Sequence, residues 1–185
     1  MIEPWRILKR NRQELFGWLH MENKRVRSPR TGKEMEVKTF HCRPWTLILP
    51  ITPEKEVVMV RQYRHGTEAI SLELPGGLVD PEDRSPDIAA GRELLEETGY
   101  QSPSIEQLGT CFPQPAMMGN KCYFFLAENA VQIQAPAPDD GEDIQIVKMP
   151  MEDIPGMIFR GEIDHGMVLL AFSFFWMKRS RFFSL

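Results

Sequence analysis

The sequence predicts an α+β domain built in α/β/α layers, and three observations carry that prediction. Its apolar runs come in the order strands, helix, strands, helices, which is the order of a layered fold. Residues 85–99 carry a full set of helix start and stop signals. The chain has 185 residues, 42% of them hydrophobic and 26% charged, which suits one sizeable core with a small appendage.

Taken in order, Trp5–Lys9 and Leu15–His20 read as short strands. Met35–His41 reads as a third, placed after the turn-like Ser28-Pro29-Arg30-Thr31-Gly32. These make residues 1–43 a strand-rich N-terminal piece and leave 44–185 as the main domain. Trp45–Ile51 and Val57–Arg64 are apolar and β-branched, joined by the polar turn Thr52-Pro53-Glu54-Lys55, and form a second pair. Ser71–Leu74 is a short strand that Pro75-Gly76-Gly77 is expected to end. In the helix that follows, Ser85 is placed to cap, Pro86 suits the first helical position, Asp87 favours the positive end, and Gly99 stops it. Cys122–Ala127 and Ile144–Met149 read as strands, separated by the loop Pro136-Ala137-Pro138-Asp139-Asp140-Gly141. Two helices, Met151–Arg160 and Gly166–Lys178, finish the chain. There is no internal repeat and no low-complexity tail.

The formal charge of −4 offers no basic excess for a nucleic-acid partner. Cys42, Cys111 and Cys122 are odd in number and lack C-x-x-C spacing, as expected of reduced thiols in a cytoplasmic protein. The first ten residues lack the apolar core of a signal peptide. Met167–Met177 falls short of the roughly 20 apolar residues that span a bilayer, so no membrane partner is expected. That run reads as a buried or dimer-facing helix.

The chemistry sits between Leu74 and Tyr100. At 100° per residue, Ile88, Gly91, Leu94, Leu95 and Thr98 share one side of the helix, and Arg92, Glu93, Glu96 and Glu97 share the other. Three carboxylates with one arginine disfavour an isolated helix by about 0.2–0.5 kcal/mol per like-charged pair. A hard divalent cation turns the same cluster into an asset, because Mg²⁺ prefers carboxylate oxygens, water and phosphates. The spacing alone also describes a solvated helix face with an Arg92–Glu96 pair. What separates the two readings is the conjunction with the Gly76-Gly77 turn, the capped start and the closing glycine.

This stretch resembles the Nudix box, G-x5-E-x7-R-E-U-x-E-E-x-G-U, with U a bulky apolar residue. Gly77, Arg92, Glu93, Leu94, Glu96, Glu97, Gly99 and Tyr100 fill its defining places. Gly77 to Arg92 is one residue longer than the pattern, so the mid-box glutamate is displaced, and Glu82 or Asp83 stands where it could pair with Arg92. The flanks resemble the ADP-ribose and nucleotide-sugar pyrophosphatase branch: Val60-Arg61-Gln62-Tyr63-Arg64-His65-Gly66 with Leu72-Glu73-Leu74-Pro75-Gly76-Gly77 before the box, and Pro115 after it.

The resemblance implies a Nudix fold with a mixed central sheet, whose N-terminal antiparallel piece builds a homodimer. It implies a nucleotide-linked small-molecule substrate cut at its diphosphate with Mg²⁺, Mn²⁺ being an alternative. Carried over by position, Glu93 and Glu97 are the principal metal ligands, with Glu96 and the Gly76 carbonyl as helpers. Gly77, Glu82, Arg92 and Gly99 shape the box, while Arg64, Glu73 and Pro115 meet the substrate. The general base is expected from the acidic run Asp139-Asp140-Gly141-Glu142-Asp143, with Glu142 chosen, or from a box glutamate such as Glu97. None of His20, His41, His65 and His165 shows metal spacing. The stacking candidates are Trp5, Trp18 and Trp45, each of which also reads as core. Hydrolysis of a nucleoside triphosphate or of coenzyme A, or a silent ADP-ribose-binding domain, are the alternatives, told apart by substrate and by loss of the carboxylates.

Overall fold

In the computed structural model, which describes residues 1–138 and 141–180, three antiparallel strands open the chain: β1 (Arg6–Phe16), β2 (Leu19–Arg27) and β3 (Glu34–Cys42). The expected strands Trp5–Lys9 and Leu15–His20 are replaced by one long β1, and Gly17-Trp18 is the turn into β2. The polar run Arg10–Glu14 hid this continuity. Nearly all of β1 is exposed, so no apolar alternation marks it, and its ladder to β2 holds it instead. The Phe40 N–H donates to the Met117 carbonyl at 2.8 Å, joining Phe112–Lys121 to β3. Met1–Pro44 and Phe112–Lys121 together form one compact unit, the small unit.

The large unit comprises Trp45–Cys111 and the chain from Cys122 on. Its strands are β4 (Trp45–Ile51), β5 (Glu56–Arg64), β6 (Ala69–Glu73) and β7 (Gly76–Leu78), then β8 (Tyr100–Gln101), β9 (Ile105–Cys111), β10 (Cys122–Glu128), β11 (Val131–Gln132) and β12 (Ile144–Pro150). Its helices are α1 (Pro86–Thr98), α2 (Ile154–Phe159) and α3 (Gly166–Arg179). The main sheet runs β12-β5-β4-β10-β9, with β6 on β5 and β7 on β4. Among the described residues only the β4–β10 pairing in it is parallel, so the sheet is mixed.

Side-chain alternation makes three layers of this unit. Leu47, Leu49, Val57, Met59, Phe124 and Leu126 face the core beneath α2 and α3, packed with Ile154, Val168 and Phe172. Ile48, Val58, Phe125 and Ala127 face the opposite way, onto Ala90 and Leu94 of α1. Strands buried on both faces read as continuous apolar runs, which is why β4, β5 and β10 were legible. Each fully buried aliphatic or aromatic side chain here contributes about 1.5–3 kcal/mol. Among the described residues no helix is long and apolar enough to cross a membrane.

Other boundaries also moved. Gly76-Gly77 does not simply end a strand but forms β7 itself, paired to Thr46 and Leu47. A Cβ on Gly76 would overlap the Thr46 carbonyl oxygen, so the close β4–β7 approach requires glycine there. Strand β9 was not foreseen; it is mostly half-buried and polar at Glu106, Gln107 and Thr110. Ser85 stands at the α1 N-cap in extended conformation but makes no side-chain capping bond. Gly99 closes the helix as expected, left-handed at φ 72°, its N–H donating to Leu95 at 2.8 Å.

Candidate active site

Helix α1 carries the carboxylates, and its packing sets how deep each one lies. Because α1 seats Ala89, Ala90, Leu94 and Thr98 on the sheet, the adjoining Glu97 is carried inward and is only 2% exposed. Ile88, expected on the buried side, is exposed at 47% and lies in the first turn, off that contact. The helix is therefore apolar on one stripe and acidic along its half-buried margin, not on a solvated face.

The β7 turn meets that margin. Glu97 Oε2 accepts the Gly76 N–H at 3.1 Å. A Cβ on Gly77 would lie 2.5 Å from Glu93 Oε1, so the second glycine makes room for that carboxylate. Arg92 is the hub of the surrounding loop. Its guanidinium donates to Asp83 at 3.1 and 3.3 Å, to Glu96 at 2.8 Å and to the Leu78 carbonyl at 3.1 Å. It also stands 3.0 Å from Glu93 and 3.4 Å from Asp80. Asp83, not Glu82, thus makes the ion pair with Arg92. Glu82 is exposed, whereas the Asp83 carboxylate is held by the Asp80 N–H at 2.9 Å as well as by Arg92. Counted from Gly77, Asp83 stands where the pattern has its glutamate, and the extra residue lies between Asp83 and Arg92.

Burial pushes Glu93 up to about 7, opposed by Arg92 and reinforced by Glu96 and Glu142. Burial also raises Glu97 well above the usual carboxylate range, with Glu93 and Glu142 adding to it and the Gly76 N–H opposing it. Burial and mutual repulsion outweigh the positive charge that Arg92 and Arg64 bring to these carboxylates, and their hard oxygen donors fit a divalent cation. As they stand, no three acidic, histidine or cysteine side chains among the described residues gather around a common point. Glu96 is drawn to Arg92, and Glu97 is turned to the turn N–H.

Arg64, at the end of β5, forms a two-pronged pair with Glu73 of β6, at 2.8 and 2.7 Å. Glu73 is 2% exposed; burial alone would raise it, but Arg64 and His165 hold its proton affinity low. The Glu73 bonds raise Arg64, with Glu97 and Glu142 contributing. His165, at the start of α3, brings Nε2 to 3.8 Å from Glu73, a neighbour that no sequence spacing announced. Glu142 is half-buried in irregular chain, and its charge is felt at Glu93, Glu97 and Arg64. Asp139 and Asp140, from the same acidic run, lie outside the described residues.

Pro115 is exposed in the small unit's segment Phe112–Lys121. Trp5 and Trp18 are exposed at 47% and 42%, whereas Trp45 packs against the α3-side core. A cavity of about 530 Å³ elsewhere in the large unit, lined by Lys55, Glu128, Phe175 and Arg179 among others, includes none of the α1 carboxylates.

A family model described as NUDIX domain matches residues 43–172. GDP-mannose pyrophosphatase of Escherichia coli strain K12 is 31% identical over 137 residues, covering 70% of this chain and 71% of that protein. Its counterpart in Shigella flexneri is 30% identical over 141 residues, covering 72% and 73%. A crystal structure of an ADP compounds hydrolase superimposes with a TM-score of 0.82 at 21% identity, covering 96% of each chain, a likeness of fold.

Proposed function

Because the chain belongs to the NUDIX domain family, as a pyrophosphohydrolase of its ADP-ribose and nucleotide-sugar branch, we propose that it hydrolyses the diphosphate of a nucleoside diphosphate sugar or of ADP-ribose with Mg²⁺. The products are a nucleoside monophosphate and a sugar phosphate. The observation that carries this reading is the pair Glu93 and Glu97, buried side by side against the Gly76-Gly77 turn with burial opposing their charge. Such a pair costs stability unless a cation or a proton offsets it.

Glu93, Glu97, Glu96 and the Gly76 carbonyl are the groups that would hold the cation. When bound, a divalent cation supplies charge neutralisation at the diphosphate and a more acidic water. Arg92 sets the loop: by engaging the Leu78 carbonyl and Asp83 together it fixes α1 against β7 and the loop that follows. Arg64, 44% exposed and aligned by buried Glu73, supplies a fixed positive charge for a substrate phosphate or sugar hydroxyl. Glu142 is assigned as the acceptor of the attacking water's proton, with Glu97 as the second choice. Homodimerisation through residues 1–43 belongs to the same reading and is supported by the exposed apolar side chains Trp5, Phe16, Trp18 and Met35.

A phosphatase-coupled phosphate-release assay tests the reaction. It uses GDP-mannose, ADP-ribose, UDP-glucose, ADP-glucose, coenzyme A and dGTP, with and without Mg²⁺. Metal-dependent release from one or more of the first four is expected. Release confined to coenzyme A or dGTP would keep the chemistry and reject the substrate class, and no release at all would overturn the reading.

A further inference from the structure

The β9–β10 ladder sets Cys111 directly opposite Cys122, and both thiols are free. They turn to the same face of the sheet. Cys122 is fully buried in the core beneath α3, and Cys111 packs against that core with its sulfur 3.8 Å from the Met167 sulfur. Residues opposed across antiparallel strands hold their Cα atoms about 4.5–5.5 Å apart, inside the about 4.4–6.8 Å that a disulfide takes. The two residues also mark a neck in the chain. Phe112–Lys121 leaves the large unit after Cys111 and returns at Cys122, and this segment bears Pro115. Nothing in the proposed hydrolysis uses either thiol.

We propose that Cys111 and Cys122 are an oxidisable pair which, in the presence of a peroxide, closes a disulfide across the neck of the Phe112–Lys121 segment. Cys111, half-buried rather than fully enclosed, reacts first. Its thiolate attacks the peroxide, an S–O bond forms, the O–O bond breaks, and hydroxide leaves. The Cys122 sulfur then attacks the sulfenic acid, forming the S–S bond as the S–O bond breaks and water departs with the thiol proton. Two thiols and one peroxide become one disulfide and two waters. Burial raises both thiols, Cys122 to about 12, so the pair reacts slowly, as suits a modification that requires sustained oxidant. Once closed, the bond fixes the two points at which the Pro115-bearing segment departs and returns.

The test treats the intact protein with excess hydrogen peroxide, alkylates remaining thiols under denaturing conditions, and maps peptides by mass spectrometry without reductant. Most molecules should show Cys111 linked to Cys122 with alkylation at Cys42 alone, and dithiothreitol should reverse the link. The Cys42→Ser variant should give the same link, and Cys111→Ser should abolish it. Recovery of Cys111 and Cys122 both alkylated, conversion of Cys111 to the sulfinic acid, or a link to Cys42 would each overturn the proposal. The peptide map of the unaltered chain decides the matter whether or not a variant folds.

Discussion

Arg92 and Arg64 bring positive charge to the same carboxylates, yet the chain holds them in opposite ways. Arg92, 28% exposed, is engaged by Asp83, Glu96, Glu93, Asp80 and the Leu78 carbonyl. Arg64, 44% exposed, pairs among the described residues with one carboxylate, Glu73. The difference separates building a site from using one. An arginine saturated by protein acceptors fixes a loop, whereas one held from a single side keeps donors for a ligand.

The largest expected effect lies with the carboxylates that both arginines serve. Glu97→Gln should lower kcat by about 10²–10⁴-fold, the range for losing an acid–base or metal-organising group, while the fold persists. Steady-state turnover with Mg²⁺ beside a thermal melt checks both halves. Next comes Arg92→Ala, which strands Asp83 and Glu96 and should cost about 1–3 kcal/mol of stability together with activity. A denaturant titration showing unchanged stability would erase the contrast between the arginines. Arg64→Ala should act mainly on KM, raising it roughly tenfold or more for the loss of a charge-assisted contact worth about 1.5–3 kcal/mol. A kcat effect with unchanged KM would instead place Arg64 beside the reacting atoms.

A smaller effect concerns pH in chelator-treated protein. Glu93 titrates near 7 when folded, above its usual 4.5. The folded state therefore binds the extra proton between those values, and stability must fall as pH rises from about 4.5 to 7. Glu97 is raised as well and acts in the same direction. Melts of metal-free protein across pH 5–8 should show this fall beyond that of Glu93→Gln, and the stabilisation by Mg²⁺ should grow over the same window. Smallest of all, Glu82→Gln should change stability by less than about 0.5 kcal/mol. Asp83→Asn should weaken the Arg92 hub, a difference that paired melts can read.

How much of this was legible in the sequence varied with burial. The α1 carboxylates were readable because helix spacing and a capped boundary fix them locally, and β4, β5 and β10 because burial on both faces leaves unbroken apolar runs. β1 was misread in the small unit, where pairing rather than packing holds the strand and Arg10–Glu14 shows no period. The depth of Glu97 was hidden as well, since it depends on how α1 rolls onto the sheet and not on its own spacing. Counting from Gly77 already favours Asp83 over Glu82, whereas its pairing with Arg92 across the longer loop required the loop's path. The approach of His165 to Glu73 joins residues distant in the chain, which only the fold brings together.

The central claim is that Glu93 and Glu97 hold a divalent cation against the Gly76-Gly77 turn. Its most direct test is equilibrium binding of Mn²⁺, read by electron paramagnetic resonance, to the wild-type chain and to the Glu93→Gln/Glu97→Gln double variant at neutral pH. The account predicts binding by the wild type and its loss in the double variant. It also predicts that the metal-free variant melts no lower than the wild type, because burial opposes both charges. Equal Mn²⁺ affinity in two folded proteins would contradict it.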